Sequence, residues 1–222
     1  MKRILMIGAC DKSDLLIYMS KILTTGGYKV LLIDATLNGN YQYAISRISS
    51  MPMCEHDGFD LATGFVSQDM IQSYDYVLID IDHESYLAYY SEHESLVLVA
   101  NYDRHTIVHN QLLMEHLYQV HGSETIQLCK VIYHTDCHLD ENYLDSTLDT
   151  VPIAWIEPTI TIHYDEYNHA VKLINQFASK VQLKGLSRNY RSNLLSLLRI
   201  VSDLEENAIK KALKNAIRRK LS

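Results

Sequence analysis

Three short segments concentrate the residue types that could handle a charged ligand. In Gly8-Ala9-Cys10-Asp11-Lys12-Ser13-Asp14, a glycine stands four residues ahead of a Lys-Ser pair. Glycine permits a tight curve and close backbone approach, and N–H groups at a helix N-terminus attract phosphate. A second segment, Asp34-Ala35-Thr36-Leu37-Asn38-Gly39-Asn40, follows the apolar run Val30–Ile33, and a third apolar run, Tyr76–Ile79, ends in Asp80. In open α/β sheets ligands gather at the carboxyl ends of strands, where all three segments fall. A lone Gly-x-x-x-Lys-Ser is a weak signal, so the weight lies on the three together and on their order. His134-Thr135-Asp136-Cys137-His138 offers several metal ligands in five residues. A zinc site needs three or four converging ligands, usually from two separated pairs, and no second pair lies nearby, so this segment reads as a polar loop. The eleven histidines are scattered, and no Ser/His/Asp or Cys/His arrangement stands out.

The elements that must position these residues are legible as apolar runs and helical spacing. Short strands are predicted at Arg3–Ile7, Lys29–Ile33, Tyr76–Ile79, Leu96–Ala100, Thr125–Tyr133 and Val151–Ile156. Helices are predicted between most of them, at Asp14–Thr24, Tyr41–Ser50, His105–His121 and His138–Leu148, and then at Asp165–Val181 and Leu186–Val201. Continuous Val/Ile/Leu runs mean strands covered on both faces, and their alternation with helices predicts a doubly wound, mostly parallel α/β sheet. Residues 1–182 are expected to form the α/β domain and 183–222 a helical C-terminal extension.

Composition narrows the function classes. The 222 residues are 47% apolar and 21% charged, the balance of a globular chain. A net charge of -7 disfavours nucleic acid as a partner by bulk electrostatics. Four cysteines without a CxxC pair read as reduced thiols in a cytoplasm, and Met1-Lys2-Arg3 leads straight into an apolar strand with no expected secretory leader. No apolar run approaches the ~18 residues of a membrane span.

The three segments, in this order, resemble the motifs of the ParA/MinD family of P-loop ATPases. Gly8, Lys12 and Ser13 match that family's Walker A loop, in which the lysine binds phosphate and the hydroxyl binds magnesium. Asp34, Gly39 and Asn40 match its Ile-Asp-x-Asp-Pro-Gln-Gly-Asn segment, and Tyr74-Asp75-Tyr76-Val77-Leu78-Ile79-Asp80 is similar to its Walker B-like strand, where Asp80 would hold magnesium through water. Val151-Pro152-Ile153-Ala154-Trp155-Ile156-Glu157-Pro158 resembles the late strand and loop beside the adenine. The resemblance spans about residues 1–179 and implies a P-loop NTPase fold, ATP with magnesium as cofactor, a homodimer, and work in placing plasmids, chromosomes, division sites, or pilus and secretion machinery.

The loop departs from that pattern in its charge. Asp11 replaces the glycine before the lysine, Ala9 replaces the second glycine of the pair, Ile7 replaces the signature lysine, and Asp14 follows Ser13. Thr36 stands where the water-activating aspartate would be, and the adenine-contacting asparagine has at most His134 in its place. Phosphoryl transfer depends on positioned positive charge, and this loop lacks one lysine and carries two extra carboxylates. The expectation is a positioning or assembly factor with a non-hydrolysing site, Lys12 pairing internally with Asp11 or Asp80. The alternative is an active, ATP-dependent dimerising switch using Lys12, Ser13 and Asp80.

The tail from Asp203 to Ser222 contains neither Gly nor Pro. It sets Ala208, Ile209, Ala212, Leu213, Ala216, Ile217 and Leu221 on one helical face, with Lys210, Lys211, Lys214, Arg218, Arg219 and Lys220 elsewhere. It is loosely similar to the membrane-associated C-terminal helix of MinD-like proteins, which leaves peripheral membrane contact open. The alanine-rich face suits equally a helix docked on the domain or against another protein.

Overall fold

Every residue of β2 (Val30–Ala35) and β5 (Tyr76–Ile81) is buried, because helices cover both faces of these central strands. The computed structural model describes residues 1–45, 53–122, 125–139, 141–148 and 150–218. Among them the strands are β1 (Lys2–Ile7), β2, β3 (Met53–His56), β4 (Phe59–Thr63), β5, β6 (Ser95–Asn101), β7 (Ile126–His134) and β8 (Ile153–His163). They form one sheet in the order β3-β4-β2-β5-β1-β6-β7-β8, and every pairing is parallel except the β3–β4 hairpin.

Alternation along each strand divides the core into two large clusters, with a small third one of Ala100, Ile107, Ile132 and Leu144. Ile4, Met6, Leu32, Leu78, Val97 and Val99 join one cluster with α1 (Ser13–Thr25), α8 (Arg188–Ser202) and α9 (Glu206–Arg218). Leu5, Ile7, Leu31, Ile33, Val77, Ile79 and Leu98 join the other, with α3 (Gln68–Ile71), α4 (Glu84–Leu87), α5 (Arg104–Val120) and α6 (Glu141–Leu148). Ten of the thirteen residues of α1 are buried, since it lies between the sheet and the C-terminal helices. The short α2 (Tyr41–Ala44) and α7 (Glu166–Phe177) touch each other.

The predicted strands and longer helices fall on observed elements, with ends shifted by a few residues. Three differences have physical causes. The β3–β4 hairpin was not predicted from the sequence; its turn is Asp57-Gly58, both at positive φ (46° and 97°), the type I′ geometry of tight hairpins. Strand β8 runs past the expected end at Ile156, because the register with β7 shifts between Cys129 and Val131 and pairing resumes beyond Pro158. A proline is tolerated there because β8 is the edge strand. Of the helix expected at Tyr41–Ser50, residues 41–44 are helical, while positions 46–50 lie outside the described residues, as do Arg219, Lys220 and Leu221.

The amphipathic tail is docked. Ile209, Ala212, Leu213 and Ala216 are buried and α9 packs along α1. Short alanine side chains let the two helices approach closely. Of the apolar face considered for membrane contact, Ile209, Ala212, Leu213 and Ala216 are thus part of the same core as the sheet. Among the described residues no helix is long and apolar enough to cross a membrane.

Candidate functional site

Strand β1 lies between β5 and β6, and the chain leaves its carboxyl end into the Gly8–Lys12 loop. From here the chain winds toward β2 on one side and, after β5, toward β7 on the other, which makes this the topological switch point of the sheet. Gly8 has φ +146°, and a Cβ there would meet the Val99 carbonyl oxygen of β6 at 2.1 Å, so only glycine fits. The same carbonyl accepts from Cys10 Sγ at 3.5 Å and from Asn110 Nδ2 of α5 at 3.3 Å. Asn110 Oδ1 in turn accepts from the Ala9 amide at 2.9 Å, pinning the loop to α5. Burial in this spot pushes the Cys10 thiol up to about 12, so it is a packing group and not a nucleophile.

Lys12 points inward. Its Nζ lies 2.6 Å from Asp80 Oδ1 on β5 and donates to the Gly8 carbonyl at 2.6 Å, and the two charged side chains are 1% and 0% exposed. Asp80 Oδ2 accepts from the hydroxyl of Tyr41, itself fully buried, at 2.9 Å. Burial pushes the Asp80 carboxyl up to about 6, outweighing the opposing pull of Lys12. For Lys12 burial acts downward most strongly of any one cause, but the charge and hydrogen bond of Asp80, with Cys10 and Asp82, together hold the ammonium above its ordinary range. Of the two partners expected for Lys12, Asp80 takes it and Asp11 does not.

Asp11 is engaged elsewhere. Its Oδ1 accepts from the Ser13 amide at 3.0 Å and hydroxyl at 2.7 Å, and its Oδ2 pairs with Lys172 of α7 at 2.8 Å. Burial alone would raise this carboxyl, but Lys172 and the Ser13 donors hold it below its ordinary value. Lys172 also approaches Asp14 Oδ1 at 3.4 Å, and Tyr190 donates to Asp14 Oδ2 at 2.8 Å. One lysine thus serves both extra carboxylates, and both lie at the start of α1, where negative charge suits the helix dipole.

Asp34 organises its own loop. Oδ1 accepts from the Thr36 amide (3.1 Å) and hydroxyl (2.6 Å), Oδ2 accepts from the Tyr41 amide (3.2 Å), and burial raises the carboxyl. The register sets Asp34 directly beside Asp80. Gly8, Asp11, Lys12, Ser13, Asp34 and Asp80 therefore do gather at one end of the sheet, with Tyr41 joining the Gly8–Lys12–Asp80 network to Asp34, while Asp11 and Ser13 form a separate network with Lys172. Ile7, which stands in for the signature lysine, ends β1 buried in the α5-side core. His134 ends β7, its ring 4.8 Å from that of His163. Among the described residues no group of three or more His, Cys, Asp or Glu converges to hold a metal ion.

Four contributors went unseen in the sequence: Tyr41, Asn110, Lys172 and Tyr190. Each reaches the loop from a separate element, and no local pattern marks them. The donors that a nucleotide phosphate with magnesium would need have partners within the chain. The lysine that would meet phosphate is bonded to Gly8 and Asp80, and the Ser13 hydroxyl is bonded to Asp11.

No protein-family model matches the chain, and no curated protein matches it in sequence. Solved structures do match in fold. A ParA family ATPase from Chlorobium tepidum TLS superposes with a TM-score of 0.54 at 12% identity, covering 98% of each chain. A chain of the MinC:MinD cell division protein complex of Aquifex aeolicus gives 0.54 at 13% identity over 100% of this chain and 98% of that one. A plasmid partition protein from Borrelia burgdorferi gives 0.48 at 13% identity over 79% and 96%. The chain has the ParA/MinD-type α/β fold, P-loop NTPase-like, carried through its C-terminal helices.

Proposed function

We propose that this chain is a positioning or assembly factor on the ParA/MinD fold, a cytoplasmic protein that works through protein contacts and does not hydrolyse ATP. The observation that carries the reading is the buried Lys12–Asp80 pair, capped by Gly8 and Tyr41. It uses up the lysine and the carboxylate that phosphate and magnesium would need. Placement of plasmids, or of pilus or secretion machinery, is the kind of work the fold suits.

Two further observations support protein contacts. One structural neighbour is itself part of a two-protein assembly, the MinC:MinD complex. On this chain α7 shows an outward apolar stripe, with Tyr167 77%, Ile174 52% and Phe177 85% exposed. Contiguous exposed apolar surface of this kind marks interaction sites more often than chance would place it. Membrane contact through α9 is not part of the proposal, because its apolar face would first have to leave α1.

The second reading, an ATP-dependent dimerising switch, is favoured by the clustering of Lys12, Ser13, Asp34 and Asp80 at the switch point of the sheet. Sedimentation velocity with and without ATP and magnesium separates the two. The proposal predicts one unchanged distribution. An ATP-driven shift to dimer that Lys12→Ala abolishes would establish the switch instead.

A further inference from the structure

Helices α8 and α9 leave between them a groove of about 420 Å³ with Leu195, Leu213 and Ile217 on its floor. Leu195 and Ile217 are half-buried, so the core does not fully cover them. Around this floor stand Arg188, Arg191, Lys210, Lys214 and Arg218, and among the described residues no acidic one lines the groove. Lys210 is tied to Glu206 one turn earlier, whereas Arg188, Lys214 and Arg218 make no ion pair among the described residues. Five cations ring an apolar strip on a chain whose net charge is -7. Like charges held this close repel one another, and an anionic partner relieves that repulsion.

We propose that this groove receives an acidic amphipathic helix of a partner protein, which lays its apolar side on the floor and turns its carboxylates to the rim. The inference names a partner for the protein-contact reading above and rests on it. A helix of about 10 Å diameter presents apolar residues at i, i+4 and i+7, a row that suits an apolar strip between two helices. Charge complementarity fixes the sign of the partner and steers its approach. A bilayer fits less well: Ile209, Ala212 and Ala216 are already buried where α9 packs on α1, which leaves only the short strip of Leu195, Leu213 and Ile217 to enter it. DNA would pair with the rim and leave the apolar floor unused.

The test is fluorescence anisotropy on the full chain with a labelled synthetic peptide of Leu, Ala and Glu, arranged as an amphipathic helix. A scrambled peptide of the same composition, phosphatidylglycerol vesicles and a DNA duplex serve as competitors. The patterned peptide is expected to bind about tenfold more tightly than the scrambled one, and less tightly as salt rises. Arg188→Glu with Lys214→Glu, both exposed, is expected to weaken it by about tenfold or more, as is Ile217→Glu, with the circular dichroism of each variant unchanged. Equal binding of the two peptides, no binding of either, unchanged binding by the charge-reversed variant, or preference for vesicles or DNA would each overturn the assignment. Nucleotide titration of the same protein reports on the phosphate loop alone, so failure of the groove and failure of the closed-loop reading are read separately.

Discussion

Lys12 Nζ and Asp80 Oδ1 lie 2.6 Å apart with both side chains out of reach of solvent. In a phosphate-binding loop the lysine is the group that must be free to extend. Here the sequence supplies everything needed to keep it folded back: the Gly8 carbonyl one turn away, a carboxylate on the adjacent strand, and the Tyr41 hydroxyl to complete that carboxylate. Replacing both members of a buried pair with apolar groups is often neutral, while removing one strands the other.

That asymmetry predicts a mutational cycle. Asp80→Asn is expected to destabilise the fold by about 3–5 kcal/mol at neutral pH, because the Lys12 ammonium is left buried without a counter-charge. Lys12→Met is expected to be milder, since the Asp80 carboxyl can take up a proton. The double variant is expected to recover part of the loss relative to Asp80→Asn. Urea unfolding of the four proteins measures the coupling; simple additivity would contradict it.

The same carboxyl sets a pH dependence. Burial raises Asp80 from 3.8 to about 6, so between these values the folded state binds a proton that the unfolded state has released. Its contribution is fully present below about pH 4 and is lost as pH rises through about 6, a change of about 3 kcal/mol. His56 and His93, lowered by burial, act oppositely just below 6.5, so the quantity to measure is wild type minus Asp80→Asn. Carbon NMR of the Asp80 carboxyl should titrate near 6; a midpoint near 4 would remove the prediction.

Gly8→Ala is expected to destabilise by about 3 kcal/mol or more, since it combines a positive φ with a Cβ driven into the Val99 carbonyl. Thermal unfolding decides this, and a loss below about 1 kcal/mol would show that β6 can yield.

How legible all this was depended on whether a feature is local. Central strands declared themselves because burial on both faces demands unbroken apolar runs such as Val30–Ile33 and Leu96–Ala100. Asp57-Gly58 was a fair hairpin signal, yet its strands are short and carry Glu55 and Asp60. The site's motif residues could be read in order, and an internal partner for Lys12, either Asp11 or Asp80, followed from the need to neutralise charge; only the fold picks Asp80. The fate of Asp11 could not be foreseen. Lys172 comes from 161 residues further along the chain, and only the folded topology brings it there. The tail's amphipathicity fixed that a face must be covered, without saying by what; α1 covers it.

Lys172 leads to a further expectation. Asp11 is already neutralised by Lys172 and Ser13, so Asp11→Gly should not by itself confer nucleotide binding. The Lys172–Asp11 pair contributes less than about 1 kcal/mol, since Asp11 is half-exposed and solvent screens it; Lys172→Ala should cost more than that, because it also strips the largely buried Asp14 of its cation. Nucleotide binding gained by Asp11→Gly would make that carboxylate, and not the Lys12–Asp80 pair, the block.

The most direct test of the closed loop is titration calorimetry of the wild-type chain with ATP and ADP in the presence of magnesium. The account predicts no binding heat at millimolar nucleotide. Saturable binding in the micromolar range, lost in Lys12→Ala, would contradict it and show that Lys12 leaves Asp80 to meet phosphate.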